Sequence, residues 1–433
     1  KVAFEAIQYV RKGKPAFLNI STYRLNAHSK GDDDRDPKEI DYFFSKDPLS
    51  AILSNPKWSK EADVIKETID NHIKSVKVDV IDESYYCKDQ LPRFPKADLV
   101  KYKNPKKRMV NALNEAYLKT LDNGAFLIGE DIMDPYGGAF KVTKGFSSKY
   151  PNQVFYSSIS ESGMVGISIG MALMGVKSYT EIMFGDFLTL TFDQIVNNAS
   201  KMHHMYAFQN SVPLRVRTPM GGKRGYGPTH SQSLEKFFVG IDNILVLSMT
   251  SLIDPLDSIL NLEKIDCPTI IIENKLDYGR MLWSEDEYFS HKVEDKPFGD
   301  IVISPVDNNP TLTIVSYGET ARNIADNLNE FFQETDQIPE LICLTKLHPL
   351  DLSNIEDSII KTKKLLIIED GSVAFGIGSE ILAKFSEKSA NLEFSYRIGA
   401  DPYPIPSVSS LESKVLPTIQ TICTKFLKAY NDT

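Results

Sequence analysis

The chain has 433 residues, 42% of them apolar and 25% charged, the balance of an ordinary soluble globular protein. At the usual ~150 residues each, that length holds about three domains. A net charge of −9 excludes a broad basic surface for nucleic acid. No apolar run approaches the ~18 residues that cross a bilayer as a helix, and the longest, over 165–176, is broken by glycines. Four cysteines, Cys87, Cys267, Cys343 and Cys423, stand far apart with no CxxC pair. Reduced thiols and no metal site are therefore expected.

The chain opens at Lys1 inside a helical pattern (Val2, Ala3, Ala6, Ile7, Val10), which reads as the interior of a longer polypeptide. A strand is expected over 16–21, followed by an acidic loop from His28 to Arg35. Pro37 and Pro48 suit the first turns of two short helices. Residues 59 to about 80 read as a surface helix, and the Lys- and Pro-rich stretch after them reads as a linker. From Lys107 onward helix and strand patterns alternate. Helices are expected over 109–121, 164–174 and 190–206, and strands over 125–128, 154–156, 178–182, 213–216, 244–247 and 269–272. Such alternation predicts a parallel sheet covered on both faces. A loop region is expected over roughly 274–310. A second α/β unit follows, with strands over 312–316, 340–344 and 365–369 and helices over 319–332, 377–385 and after Ser410.

The residue of greatest interest is Glu161, a lone carboxylate where the strand over 154–156 hands over to a nearly uncharged helix. A buried acid there is costly unless something hydrogen-bonds it. It either caps the helix or serves a ligand. Glu130 and Asp131 follow directly on a strand, at the edge where parallel sheets meet ligands, or else form a capping turn. Phe184 and Phe187 flank a strand-to-helix turn, where an aromatic is core or presents a face or edge to a planar ring. The loop over 217–231 carries four glycines and ends on His230 before an expected helix start, where the helix dipole favours a neutral imidazole. His28 heads the first acidic loop, and its role is open from the residues alone. Gly376 and Gly378 lack the third glycine of a dinucleotide motif and read as close helix packing.

In this order the runs GED (129–131), GGAFKVTKGF (137–146), ISESG (159–163), FGDF (184–187), FDQIVNNASK (192–201), THSQSLEKFF (229–238) and IIEDGSVAFGIGSEI (367–381) resemble the thiamine-diphosphate-dependent decarboxylating component of 2-oxo acid dehydrogenase complexes. Residues from about 107 to the end resemble its whole beta subunit. Residues 1–85, with TYR (22–24) and HSKGDDDR (28–35), resemble the C-terminal part of its alpha subunit. The resemblance implies a fused alpha–beta chain of branched-chain-like type, in four parts. These are an alpha-type remnant (1–90), a linker (91–106), a pyrimidine-binding α/β domain with a parallel sheet (107–290) and a transketolase C-terminal-like α/β domain (300–433).

It also implies thiamine diphosphate as cofactor. Glu161 matches the acid that shares a proton with the aminopyrimidine ring, Phe187 the aromatic packed beside that ring, and Glu130 a nearby acid linking paired sites. His230 and His28 match the two histidines that orient substrate and move protons during acyl transfer. Ser29 matches a phosphorylatable position. The family holds its diphosphate through Mg²⁺ on a GDG…N segment, and no GDG occurs here, so the Mg²⁺ ligands are expected upstream and none in this chain. The family's potassium site has no match either, because its Asp and Asn positions read Ile265 and Cys267. The implied reaction is oxidative decarboxylation of a 2-oxo acid, branched-chain favoured and pyruvate the other substrate, with acyl transfer to a lipoylated dihydrolipoyl acyltransferase. The implied assembly is a homodimer equivalent to α2β2, in the bacterial cytoplasm or the mitochondrial matrix, with neither nucleic acid nor membrane as partner. Two alternatives stand beside it: a non-oxidative transferase of transketolase or deoxyxylulose-phosphate synthase type, and a non-catalytic assembly fragment.

Overall fold

The computed structural model describes residues 2–27, 34–76, 91–206 and 210–432. The chain forms two compact units, 1–86 and 87–433. The described residues of the first form the helices Val2–Val10, Pro37–Phe44, Pro48–Leu53 and Ser59–Ser75. Both prolines sit in first turns, and an aspartate caps each start: Asp36 accepts the Lys38 amide at 2.9 Å, and Asp47 accepts that of Ser50 at 2.8 Å. Residues 16–21 form no strand, correcting the expectation. No other strand lies among the described residues of this unit, and a strand without a partner has nowhere to place its backbone hydrogen bonds. None of the described residues of this unit is buried. The loop from His28 to Asp33, and the end of the expected surface helix, lie outside the described residues.

The second unit is α/β and holds two seven-stranded sheets. Its strands in chain order are β1 (Leu99–Lys101), β2 (Phe126–Gly129), β3 (Val154–Tyr156), β4 (Ser178–Glu181), β5 (Arg215–Met220), β6 (Leu245–Ser248) and β7 (Thr269–Asn274). Then follow β8 (Phe289–Glu294), β9 (Ile301–Pro305), β10 (Leu312–Tyr317), β11 (Pro339–Leu344), β12 (Lys346–His348), β13 (Lys364–Ser372) and β14 (Phe394–Ala400). The first sheet runs β12-β6-β7-β5-β4-β2-β3 and is parallel except for edge strand β12. Its central strands, such as Thr-Ile-Ile-Ile in β7, are β-branched and buried, as a sheet covered on both faces requires. The second sheet runs β1-β8-β9-β11-β10-β13-β14 and is mixed, with β1, β8 and β9 antiparallel to their neighbours.

Two crossings join the sheets. β1, in the segment expected as a linker, pairs with β8 of the second sheet, and β12 leaves the second sheet to pair with β6 of the first. The hairpin β8–β9 replaces the loop expected over 274–310. Its alternating burial, with Phe289, His291 and Val293 inside, follows strand period.

Two expected long helices are broken by side chains that bond their own backbone. In place of one helix over 190–206 there are a 3₁₀ segment (Gly185–Thr191), a π-helical segment (Gln194–Ala199) and a single turn (Met202–Met205). Thr189 and Thr191 donate to the carbonyls of Asp186 and Leu188 at 2.8 and 2.7 Å, and Ser200 to that of Val196 at 2.9 Å. The helix expected over 319–332 is two, Gly318–Asp326 and Leu328–Thr335, parted at Asn327, whose amide donates to the Asn323 carbonyl at 2.7 Å.

Candidate active site

Every parallel strand of the first sheet ends on one edge, and the residues singled out in the sequence gather along it. β3 leads through 157–160 into the helix Glu161–Leu173, which buries Met164, Val165, Ile169 and Ala172 against the sheet. Glu161 is the first residue of this helix and only 7% exposed. It does not cap: the helix start has no side-chain cap, and the Glu161 carboxylate has no hydrogen-bond or ionic partner among the described residues. Glu130, directly after neighbouring strand β2, is equally buried, and its Oε1 accepts the Ser160 amide at 3.1 Å. It thus fastens the residue preceding Glu161. Burial pushes Glu130 above the ordinary carboxylate range, and the charges of Glu161 and Asp131 add to this, while the Ser160 amide opposes it.

β4 runs into the turn carrying Phe184 and Phe187, and β5 into the loop carrying His230. The imidazole packs edge-on against both rings, 4.9 Å from the Phe184 centroid and 5.1 Å from that of Phe187. Thr229 Oγ1 lies 3.0 Å from His230 Nδ1, and Nε2 has no partner among the described residues. The expected helix start after His230 is a three-residue 3₁₀ turn, Glu235–Phe237, with no side-chain cap. Ser233, two residues before that turn, donates to Asp370. The helix whose dipole would favour a neutral imidazole at His230 does not form.

Sequence reasoning missed what lies beneath this edge. Lys275, just past β7, is fully buried; its Nζ donates to the His230 carbonyl at 2.6 Å and stands 5.0 Å from the Phe184 ring centre. Asp186 accepts both the amide and the side chain of Gln232, while its second oxygen is buried without a partner. Arg217 is buried between Glu181 and Glu273, donating to Glu273 at 2.9 and 2.5 Å and also to Glu181, with Tyr117 and Tyr278 donating to Glu273 at 3.0 and 2.7 Å. Burial opposes the charge on Arg217, but the two carboxylates outweigh it and hold the guanidinium well above its ordinary value. The available signal was a charged residue within or directly after each of three expected strands: Glu181, Arg217 and Glu273. Near the Ile265 and Cys267 positions, Arg215 donates to the carbonyls of Leu262 and Ile265 at 2.6 and 3.3 Å, placing a covalent cation there.

The structure thus brings Glu161 beside Glu130, and Phe187 against His230, on one sheet edge; the helix of Glu161 packs on the turn of Phe187. His28 lies outside the described residues. Among the described residues no three His, Cys, Asp or Glu side chains cluster so as to hold a metal ion, and no helix is long and apolar enough to cross a membrane.

Residues 106–280 match the transketolase pyrimidine-binding domain family, and residues 303–422 match the transketolase C-terminal domain family. The mitochondrial pyruvate dehydrogenase E1 component subunit beta-1 of Arabidopsis thaliana is 32% identical over 321 residues, 72% of this chain and 86% of its own length. The E1 subunit beta of Gracilaria tenuistipitata var. liui is 31% identical over 70% of this chain and 93% of its own. That of Rickettsia conorii is 30% identical over 71% and 92%. Among solved structures, a split-gene transketolase, an inactive beta4 tetramer, aligns with a TM-score of 0.59 at 16% identity over 76% of this chain and 99% of its own, a likeness of fold alone. This chain belongs to the beta-subunit family of the thiamine-diphosphate-dependent decarboxylating component of 2-oxo acid dehydrogenases.

Proposed function

We propose that this protein decarboxylates a 2-oxo acid oxidatively and hands the acyl group to a lipoylated dihydrolipoyl acyltransferase, with Glu161, Glu130 and Phe187 holding the aminopyrimidine half of the cofactor. One observation carries the reading. Glu161 is a residue only 7% exposed at a helix start, its carboxylate oxygens open on the sheet edge, capping nothing and without a partner among the described residues. A carboxylate so placed is free to hydrogen-bond a ligand that covers it, and a polar heterocycle against an aromatic wall suits it. When bound, thiamine diphosphate supplies the nucleophilic carbon and electron sink that let carbon dioxide leave a 2-oxo acid. Glu161 holds the ring nitrogen by a hydrogen bond, Glu130 keeps the segment before Glu161 in place, and Phe187 excludes water from one side. His230 holds or moves a proton at Nε2 because Nδ1 is engaged by Thr229. His28 is assigned the matching role from the alpha side.

The diphosphate and its Mg²⁺ are assigned to an alpha-type half carrying a GDG…N segment, since this chain has none. Residues 1–90 are read as the end of that half, on the TYR and HSKGDDDR runs and on helices that bury none of their residues. Residues 91–106 are read as the connection, 107–290 as the pyrimidine-binding domain and 300–433 as the C-terminal domain. Because the cofactor would be shared between alpha- and beta-type halves, the working assembly is a dimer of fused chains. The FGDF and HSQS runs favour a branched-chain 2-oxo acid, whereas the relatives named above are pyruvate dehydrogenase subunits. Comparing kcat/KM for pyruvate with that for a branched 2-oxo acid decides between them.

The decisive experiment is Glu161→Gln in the intact enzyme. Turnover with a dye acceptor is expected to fall roughly a hundredfold or more, with the circular dichroism spectrum and thermal midpoint unchanged. Retention of more than a few per cent of wild-type turnover sinks the assignment.

A further inference from the structure

A fully buried lysine is costly, because its ammonium leaves water for an interior that stabilises charge poorly. Lys275 is such a residue. It extends from the end of β7, a central strand, so its base is rigid. Among the described residues its ammonium makes one hydrogen bond, to the carbonyl of His230 at 2.6 Å. The same ammonium lies 5.0 Å from the Phe184 ring centre, and that ring seats the His230 imidazole at 4.9 Å. One side chain therefore holds both the backbone of His230 and the surface its ring rests on.

The surrounding loop is tied down elsewhere. Glu412 accepts the amides of Lys223 and Gly225 at 2.7 and 3.1 Å, and Asp186 accepts that of Gln232 at 3.3 Å. Those ties hold its two arms, and Lys275 holds the residue between them. We propose that Lys275 is a positioning residue for His230, fixing the imidazole for proton transfer during acyl handover. This rests on the assignment of His230 to the reaction.

The electrostatics agree with that placement. Burial pushes the Lys275 ammonium down to about 8, with Asp186, Asp370 and Glu412 opposing the fall and Arg224 adding to it. Lys275 thus loses its charge, and the strength of its bond to His230, as pH rises through about 8.

The test uses the intact enzyme with a lipoyl acceptor. Lys275→Met is expected to lower kcat for acyl transfer roughly tenfold or more, with KM for the 2-oxo acid and cofactor affinity within about twofold. In a His230→Asn background the same change is expected to cost less than about twofold, because the group it positions is gone. Lys275→Arg stays charged at all working pH values, so its alkaline limb of kcat is expected above about pH 9. An equal cost of Lys275→Met in both backgrounds overturns the proposal, as does an alkaline limb that Lys275→Arg leaves in place. A wild-type kcat flat between about pH 7 and 9 overturns it as well, and that measurement needs no variant to fold. Full acyl transfer by His230→Asn alone removes the assignment of His230 itself, an outcome distinct from an inert Lys275→Met beside an impaired His230→Asn.

Discussion

Glu161 and Glu130 are adjacent acids with opposite circumstances. Glu161 lacks any partner among the described residues, while Glu130 accepts the Ser160 amide at 3.1 Å and so sets the chain that delivers Glu161 to the sheet edge. The bond needs an oxygen acceptor, not a charge. Glu130→Gln keeps an oxygen in place and removes a buried charge already disfavoured by its neighbours. It is expected to unfold in urea within about 0.5 kcal/mol of wild type. Glu130→Ala leaves the Ser160 amide unsatisfied and is expected to lose about 1–2 kcal/mol. Equal losses for the two variants in urea titrations would show that the carboxylate charge, and not the hydrogen bond, is what matters.

At the scale of elements, the helix Ile377–Glu387 shows how a short glycine pattern encodes packing. Its N-terminus is closed by the buried Glu369 carboxylate of β13, which accepts the Ile377 and Gly378 amides at 2.8 and 3.1 Å. That approach is open only to glycine: a Cβ on Gly378 would stand 2.9 Å from Glu369 Oε1 and 2.9 Å from Ile367. The reading of close helix packing at these glycines is what the structure shows. Gly378→Ala is expected to destabilise the fold by about 1–3 kcal/mol, measured by thermal and denaturant unfolding. A neutral effect would mean that Glu369 swings aside at no cost.

At the scale of the whole molecule, several acids lie deep between elements distant in the chain. Burial pushes Asp300 and Glu235 up to about 7 and Asp277 up to about 6, with neighbouring acids such as Glu294, Asp370 and Glu319 adding to it. Asn354, Tyr317 and Ser251 hydrogen-bond them and oppose the rise. In the unfolded chain these groups ionise near pH 4. The folded protein therefore holds the extra protons between about pH 4 and 7, and their contribution to stability is full below that window and lost as pH rises through it. His291, pushed by burial down to about 4, opposes this trend below about pH 6.5. The thermal midpoint is expected to fall from pH 5.5 to pH 8, and Asp300→Asn is expected to reduce that fall by about 3 °C or more. An unchanged fall in Asp300→Asn would place the titrating groups elsewhere.

Legibility of the fold followed period and chemistry. The strands over 154–156 and 269–272 and the helix over 109–121 were readable because apolar spacing and β-branching are local properties. The helix over 190–206 was not, since Thr189, Thr191 and Ser200 redirect the backbone by hydrogen bonds that periodicity does not register. The hairpin β8–β9 was hidden because its antiparallel pairing with β1 and β11 depends on residues far away in the chain. Of the site, Glu161, Glu130, Phe187 and His230 stood out in short runs at strand ends. By itself the sequence determined the α/β class, the alternation of elements and the carboxylate at the helix start, because these depend on neighbours along the chain. Only the tertiary structure decided that Glu161 caps nothing, that Arg217 bridges two buried acids and that Lys275 reaches His230, because burial and hydrogen-bond partnership exist only once distant strands share an edge.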